Sequence, residues 1–349
     1  MALFEQVSAQ DKVEFVKNLA LLIRSGKPIN ESFDLLANQA RNPALKRTLS
    51  DARDKIEKGT SLYNIFDDSP YFGKVFVSFI RAGEESGTLQ QNLEYLADWL
   101  ERDSKLRKEI KAATLYPKII VSFALLLGGG LSIIVLPQLV PIFDSLDVSL
   151  PMSTQILLWV SDLMQESGLF VIGGILLFIT FVYLLLKLRP IKKIWDHTLL
   201  KLPVVGVISK EYQLTIIAQL ITTLFRSGLT INESLEIISK SVTNIKFEEA
   251  LEEMKGRVSK GTPFAKTMES YPELFPTTFI SVITTGEETG SYDQSFQYLA
   301  DFFAEKVKER TQKLPTILEP VLLIAIGIFV AFIASAIVMP IYDVTSGLY

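Results

Sequence analysis

The chain has 349 residues, of which 48% are hydrophobic and 21% charged, and its formal net charge is −4 at pH 7. This balance is too apolar for an ordinary soluble protein and too charged for one lying wholly in a bilayer, so we expect a membrane part and a soluble part. The negative charge argues against a nucleic-acid-binding surface, which needs a basic stripe. The absence of cysteine excludes disulfides, redox pairs and thiolate zinc sites, and a single histidine, His197, argues against histidine-based catalysis.

The N-terminal stretch is mixed and charged, without the apolar core of a secretory signal, so we expect it to stay in the cytoplasm. Phe15, Leu19 and Leu22 share one face of a helix that Gly26 ends. Further on, Thr88-x-x-Gln91 has the pattern of a capping box and predicts the start of a long helix over 89–111.

Three apolar runs are long enough to cross a bilayer, which needs about 20 helical residues. They cover 119–140, 169–188 and 321–341, here called spans one, two and three. Between spans one and two, an amphipathic stretch over 151–164 predicts either an interfacial helix on the outer leaflet or a simple connector.

The basic residues predict the orientation of the spans. No Lys or Arg lies between Lys118 and Lys187, and the connector from span one to span two contains only acids: Asp144, Asp147, Asp162 and Glu166. Basic residues cluster instead before span one, after span two and before span three. By the positive-inside rule, the N-terminus and the stretch 189–315 are cytoplasmic, and the connector and the C-terminal tail are extracytoplasmic.

The chain contains an internal repeat. Arg-Ser-Gly at 24–26, Ile-Asn-Glu-Ser at 29–32 and Lys-Gly-Thr at 58–60 return 202 residues later. After one inserted residue, Gly-Glu-Glu at 83–85 and Tyr-Leu-Ala-Asp at 95–98 return 203 residues later. Agreement over so many positions indicates a duplication. In the second copy Ser291-x-x-Gln294 repeats the capping-box pattern, and the corresponding long helix is predicted over 294–313.

The repeat predicts an all-α protein with two cytoplasmic helical bundles and three transmembrane helices. Copy one occupies 1–116, transmembrane helix one 117–143, the extracytoplasmic connector 144–168 and transmembrane helix two 169–188. Copy two occupies 189–319, and the third transmembrane helix with a short outer tail occupies 320–349. Span two has no partner in the repeat, and it returns the chain so that both copies share one side of the membrane.

Small residues recur in the two spans that the repeat relates. They are Ala124, Gly128 and Ser132 in span one and Gly327, Ala331 and Ser335 in span three, each pair 203 residues apart. Small residues at i, i+4 and i+8 let helices approach closely in lipid. We therefore predict that both stripes are packing surfaces, against each other or across a subunit interface.

Two acid pairs, Glu84-Glu85 and Glu287-Glu288, lie where one helix is predicted to end and the next to begin. An acid at a helix C-terminus is destabilising, which suggests a use such as pairing with a basic partner or binding a cation. The alternative is that the pairs serve the N-terminus of the following helix. We predict them as partner-interaction residues.

The sequence lacks the motifs that several classes of enzyme and transporter require. No G-x-x-x-x-G-K-[ST] occurs, so the chain is not a P-loop ATPase. The spans contain no Asp or Glu, which disfavours an intramembrane aspartyl protease or an ion pathway. We predict no catalytic, cofactor-binding or metal-binding residues. A membrane enzyme and a transporter component remain as alternatives to a non-enzymatic role.

The order of these motifs resembles the F-type platform family of type II secretion systems and type IV pili. The similarity extends over about 11–342, and its most specific signs are Gly83 to Gly87, Tyr116-Pro117, and their counterparts Gly286 to Gly290 and Pro320. One departure is Glu319, which stands where a tyrosine would precede the second proline.

The resemblance implies a non-enzymatic platform in the inner membrane. Its cytoplasmic domains would engage a hexameric assembly ATPase, and its membrane part would handle pilins or pseudopilins together with other inner-membrane assembly proteins. A homo-oligomer is expected, and a dimer is preferred. The predicted long helices entering spans one and three would be the levers that transmit motion.

Overall fold

A computed structural model of the chain describes residues 6–130, 134, 138 and 152–346, and within these residues the regular secondary structure is helical, without strands. This confirms the predicted all-α fold. In chain order the helices are α1 Ala9–Arg24, α2 Ile29–Gln39, α3 Pro43–Glu57, α4 Leu62–Asp67, α5 Lys74–Ser86, α6 Leu89–Ala113, α7 Leu115–Gly130, α8 Met152–Leu185, α9 Arg189–Lys201, α10 Val205–Arg226, α11 Ile231–Ser239, α12 Ile245–Val258, α13 Phe264–Met268, α14 Thr277–Thr289 and α15 Tyr292–Ser346.

The chain forms two compact units. The first, here called the bundle unit, combines Met1–Glu109 with Lys193–Arg310. The second, the span unit, combines Ile110–Lys192 with Thr311–Tyr349. The bundle helices of both copies thus belong to one compact unit. The boundaries predicted for the copies, 1–116 and 189–319, stay predictions.

The helices of the two copies correspond, α1 to α5 with α10 to α14. Their starts are fixed by local chemistry that differs from copy to copy. Helix α1 begins with a capping box between Ser8 and Asp11, and α11 begins with one between Thr230 and Glu233. In each capping box, the hydroxyl of the N-cap residue accepts the backbone N–H of the acid, and the carboxylate of the acid accepts the backbone N–H of the N-cap residue. Two N–H groups that the helix leaves without a partner are thus hydrogen-bonded.

Buried phenylalanines occupy different core positions in the two copies. Three buried phenylalanines of copy one correspond to smaller side chains in copy two, namely Phe15 to Ile217, Phe33 to Leu235 and Phe66 to Met268. Three buried leucines of copy one correspond to phenylalanines in copy two, namely Leu45 to Phe247, Leu62 to Phe264 and Leu93 to Phe296. Each core therefore keeps a similar side-chain volume with a different arrangement, as close packing requires.

Helix α10 is the most buried helix of the bundle unit. Every residue from Glu211 to Thr222 is buried, including polar ones such as Gln213 and Gln219. Its counterpart α1 buries one face only, through Val13, Phe15, Val16, Leu19 and Ala20. A helix that is covered on all sides lies in the interior of its unit, so α10 is the central helix of the bundle unit.

The long helices are present in both copies. In copy one, α6 and α7 are separated only by Thr114, and in copy two α15 runs unbroken for 55 residues. The capping boxes predicted to open them are wrong. The N–H of Thr88 donates to the Gly83 carbonyl at 2.9 Å, and that of Ser291 donates to the Gly286 carbonyl at 2.8 Å. These bonds close the preceding helices and take the donor that a capping box needs.

Two helical stretches are long and apolar enough to cross a membrane, Leu89–Gly130 and Tyr292–Met339. They contain spans one and three, although the end of span one lies outside the described residues. The pair α9 and α10, bent by 106°, would add a third only if counted as one span. Because α10 is buried in the bundle unit, we assign it to the bundle. Most of span two lies in α8, which begins at Met152, is kinked at Ser167 and ends at Leu185, three residues before the predicted end of the span.

The span unit packs through contacts among α7, α8 and α15. Gly128 of α7 is buried, and a Cβ there would lie 2.3 Å from the ring of Phe329 and 3.0 Å from Ile333 Cδ1. The Thr154 hydroxyl of α8 donates to the buried Ala336 carbonyl of α15 at 2.7 Å. Gly128 is thus required by a close helix approach. At Gly327 of span three, which corresponds to Ala124 in the repeat, a Cβ would meet nothing within 4 Å.

This difference gives a prediction for two glycines, one in each small-residue stripe. Gly128→Ala forces the Phe329 ring to move and should destabilise the protein by about 1–3 kcal/mol, the usual cost of overpacking. Gly327→Ala, which adds a methyl group in open space, should leave the stability unchanged or slightly raised. Thermal unfolding of the full-length protein in detergent measures both. Equal shifts of Tm for the two variants would contradict the packing described.

Candidate functional site

The first glutamate of the Gly-Glu-Glu motif is bound inside copy one. The backbone N–H groups of Leu62 and Tyr63 donate to its two carboxylate oxygens, at 2.7 Å to Oε1 and 3.0 Å to Oε2 of Glu84. These are free N–H groups of the first turn of α4, whose N-cap residue Ser61 makes no side-chain capping bond. A carboxylate at a helix N-terminus accepts strong bonds and complements the helix dipole. Glu84 therefore caps α4 from the end of α5.

Copy two repeats this arrangement. The N–H groups of Phe264 and Ala265 donate to Glu287 at 2.8 and 2.9 Å. The N-cap residue of α13, Pro263, makes no side-chain capping bond. The sequence predicted that an acid at this place would bind a partner or serve the following helix. The structure gives the first acid of each pair a third role, since it caps a helix about 20 residues earlier in the chain.

The glycines of the motif end α5 and bring the next helix close. A Cβ at Gly83 would lie 2.8 Å from the Leu89 Cα, so only glycine fits where α5 crosses the start of α6. Gly87 follows the last turn with φ +70°, the left-handed conformation that ends many helices. The Gly-Glu-Glu motif thus has two structural roles: its glycines end α5 and allow α6 to approach, and its first glutamate caps α4.

The second glutamates, Glu85 and Glu288, are exposed. Glu85 lines a charged groove between α5 and α11, together with Arg81 of copy one and Glu233 and Lys240 of copy two. The partner-interaction role predicted for the four acids stays a prediction. Only the second acid of each pair has a freely accessible carboxylate. In the described part of the chain, no three carboxylate or histidine side chains converge on a point suited to a metal ion.

A polar contact joins the two copies inside the bundle unit. The Tyr212 hydroxyl of α10 donates to Oδ1 of Asp103 on α6 at 3.0 Å, and Arg107 Nε donates to Oδ2 of the same carboxylate at 2.7 Å. Tyr212 and Asp103 are buried, and the Arg107 guanidinium lies 5.6 Å from the centre of the tyrosine ring. Burial, and then the Asp103 carboxylate, raise the pKa of Tyr212 above its ordinary value, so the phenol stays protonated and donates.

The neighbouring residue of α10 binds the other long helix. Arg310 of α15 donates through Nε to Oε2 of Glu211 at 2.7 Å, and the Glu211 side chain is only 8% exposed. Of two consecutive residues of α10, Tyr212 thus binds α6 and Glu211 binds α15. We call Asp103, Arg107, Glu211, Tyr212 and Arg310 the α10 junction.

The junction was missed by the sequence reasoning, although a signal for it exists. Arg107 and Arg310 are 203 residues apart and so are equivalent in the repeat. An arginine that recurs on both predicted long helices needs an acidic partner. The partner differs, being Asp103 on the same helix for Arg107 and Glu211 on α10 for Arg310. Charge pairing between helices cannot be read from spacing along one helix.

The small-residue stripes of spans one and three do not lie in equivalent surroundings. In span one Ala124 is half-buried and Gly128 buried, whereas Ser132 lies outside the described residues. In span three Gly327, Ala331 and Ser335 are exposed. The packed face of α15 is instead formed by Phe329, Phe332, Ile333 and Ala336. Within the described residues the two stripes do not meet, and an interface across subunits stays a prediction for the exposed one.

Comparison with known proteins gives consistent similarity along the chain. A sequence model of the family described as "Type II secretion system (T2SS), protein F" matches twice, over residues 15–137 and 217–340. A Type IV pilus assembly protein PilC of Pseudomonas aeruginosa is 29% identical over 341 residues, which cover 97% of this chain and 91% of the relative. A Type II secretion system protein F of Vibrio cholerae is 29% identical, covering 97% of this chain and 84% of the relative. The two matched segments coincide with the two copies of the repeat and the spans that follow them.

The capping role of the motif predicts a difference between its two acids. Glu84→Gln removes the charge and one of two acceptors from the α4 N-terminus and should destabilise the protein by about 1–3 kcal/mol. Glu85→Gln, at an exposed position on the same helix, should change the stability by less than about 0.5 kcal/mol. Denaturant unfolding of the full-length protein in detergent measures both. A loss for Glu85→Gln as large as that for Glu84→Gln would contradict the assignment.

The α10 junction predicts that one hydroxyl group matters for stability. Tyr212→Phe removes the donor to a buried carboxylate and should cost about 1.5–3 kcal/mol, the range for hydrogen bonds to charged groups. The matched control is Tyr298→Phe on α15, where the ring is 54% exposed, and it should be neutral. Chemical denaturation compares them, and a neutral Tyr212→Phe would show that the junction contributes nothing.

Proposed function

Because the chain belongs to the family of type II secretion system protein F, we propose that it is a non-enzymatic platform protein of the inner membrane. In this role it serves a type IV pilus or a type II secretion machine, whose fibres are built from pilins or pseudopilins. It couples a cytoplasmic hexameric assembly ATPase to the extraction of these subunits from the membrane. Both kinds of machine are represented among the similar proteins, one named for pilus assembly and one for secretion.

The observation that supports the proposal best is the course of the long helices. Each copy contributes residues to the bundle unit and then continues as a helix into an apolar stretch, through Leu89–Gly130 in copy one and Tyr292–Met339 in copy two. A helix that joins a soluble bundle to a membrane span transmits displacement along its axis, because its hydrogen-bond ladder is stiff. Such an element suits a protein that passes on a motion generated elsewhere.

The α10 junction supports the same proposal. Glu211 and Tyr212 hold the two long helices through bonds of 2.7 and 3.0 Å to Arg310 and Asp103. A force applied to either copy therefore reaches both long helices through one buried helix. In this proposal the ATPase acts on the bundle unit, and the spans move together.

The basic flanks of the spans support the proposed topology. The bundle unit and the N-terminus face the cytoplasm, and the C-terminus is extracytoplasmic, since basic residues favour the cytoplasmic side. We further propose a homodimer. The exposed stripe of Gly327, Ala331 and Ser335 is available to a second copy or to the apolar helix of a pilin.

The contacts of the motif speak against the alternative of a membrane enzyme. Both carboxylate oxygens of Glu84 and of Glu287 accept backbone N–H groups. These two carboxylates are thus engaged in capping α4 and α13. No described contact favours a transporter over a platform.

Binding to the assembly ATPase tests the proposal. Full-length protein in nanodiscs is incubated with the ATPase encoded in the same genome, without nucleotide, with ADP and with a non-hydrolysable ATP analogue. We expect binding in at least one state. The double variant Glu85→Lys/Glu288→Lys should weaken it by about tenfold or more, because like charges placed across an interface cost several kcal/mol.

The matched control is Glu57→Lys/Glu252→Lys, which reverses two exposed acids elsewhere in the bundle unit and should bind normally. Absence of binding in all three nucleotide states would contradict the platform role. Normal binding of Glu85→Lys/Glu288→Lys would reject the second acids as contact residues and leave the platform role standing.

A further inference from the structure

Helix α9 follows the predicted second span almost directly. Helix α8 ends at Leu185 and α9 begins at Arg189. The residues between them reach no more than about 14 Å even when extended. If span two crosses the bilayer, α9 therefore starts at the depth of the lipid headgroups.

One face of α9 is fixed to the bundle unit. The buried Asp196 accepts the N–H of Ile245 at 2.9 Å, and its carbonyl accepts the Asn244 side chain at 3.3 Å. Lys193 is paired with Glu249 at 2.7 Å. These contacts bind α9 to the start of α12 and determine which face of the helix points away from the bundle.

The opposite face holds three apolar residues and one threonine, and most of it is exposed. Ile191, Ile194, Trp195 and Thr198 follow one another at i, i+3, i+4 and i+7, which places them on one side of the helix. Ile194 is 69% and Trp195 52% exposed. A tryptophan beside aliphatic residues is the composition that membrane interfaces favour.

Two lysines, Lys192 and Lys201, flank this face. The basic residues of α9 are Arg189, Lys192, Lys193 and Lys201, whereas its single acid, Asp196, is buried. Lys192 and Lys201 make no ion pair within the part of the chain that the structure describes. An apolar stripe flanked by lysines is the pattern of a helix lying in the plane of an anionic membrane surface.

The corner after α9 keeps this face in place. Val204 has φ 66°, a left-handed conformation that a β-branched residue rarely adopts. A Cβ at Gly206 would lie 2.6 Å from the Leu200 carbonyl oxygen, so the chain turns here at very close range. Helices α9 and α10 meet at 106° across this corner. A strained backbone conformation of this kind persists only where the surrounding structure fixes it. We therefore expect the angle between α9 and α10 to be fixed.

We propose that α9 lies in the membrane interface and binds anionic phospholipid headgroups, with Ile194 and Trp195 inserted and Lys192 and Lys201 at the phosphates. The helix is then a second attachment of the bundle unit to the bilayer, beside the spans. Through the corner at Val204, it connects the lipid surface to α10 and so to the junction that holds both long helices.

The chain contains no cysteine, so single spin labels can be placed without background. Full-length protein bearing a nitroxide at Ile194→Cys is reconstituted into vesicles of phosphatidylcholine with phosphatidylglycerol. Collisions with oxygen report lipid exposure, and collisions with a water-soluble nickel complex report water exposure. Labels at Thr180→Cys in span two and at Glu252→Cys, an exposed position of α12, serve as the lipid and water references.

The proposal expects the label at 194 to be shielded from nickel and accessible to oxygen, at a shallower depth than the label at 180. Omitting phosphatidylglycerol, or introducing Lys192→Gln/Lys201→Gln, should lower the lipid-bound fraction by about fivefold per lysine. A water-exposed label at 194 overturns the proposal. So does dipolar broadening between labels of two copies, which would make the face a subunit interface, and so does a label at 180 that lies outside the lipid.

Discussion

The buried helix α10 is the constraint on which the rest of the bundle unit depends. It is covered on all sides from Glu211 to Thr222, and two consecutive polar residues at its N-terminal end bind the long helices of both copies. Burying such groups is costly unless each is paired, and here each has a partner within 3.0 Å. The pairs also fix the register of α6 and α15 against α10, which apolar contacts alone specify less sharply. Within the bundle unit, the two copies are therefore joined through a single helix.

The two copies have the same order of helices but differ in their core residues and in the packing of their spans. The capping of α4 and α13 by Glu84 and Glu287 is the same in both, because each short helix lacks a capping side chain of its own. The cores differ, since phenylalanines at three positions of one copy are balanced by phenylalanines at three other positions of the second. The spans differ as well, because Gly128 is buried and its counterpart Ala331 is exposed. Equivalent sequences thus provide one face for internal packing and leave another free.

Features set by local sequence could be predicted, and features set by distant contacts could not. The repeat, the long helices and the apolar stretches follow from periodicity and hydropathy, and the family predicted from the motifs is confirmed. The role of Glu84 was missed because its donors, Leu62 and Tyr63, lie about 20 residues away in the chain. The capping box at Thr88 failed because the Gly83 carbonyl takes its N–H. Nothing in the sequence of α10 alone says that both copies would cover it.

Hydrogen exchange on the full-length protein in detergent, followed by mass spectrometry at rising denaturant, tests most directly whether the copies form one body. If α10 unites them, peptides from α2–α5 and from α11–α14 should open with the same free energy and the same dependence on denaturant. Combining Glu211→Gln with Tyr212→Phe should separate the two sets. Independent opening of the two copies in the unaltered protein would contradict the account, since α10 would then belong to copy two alone.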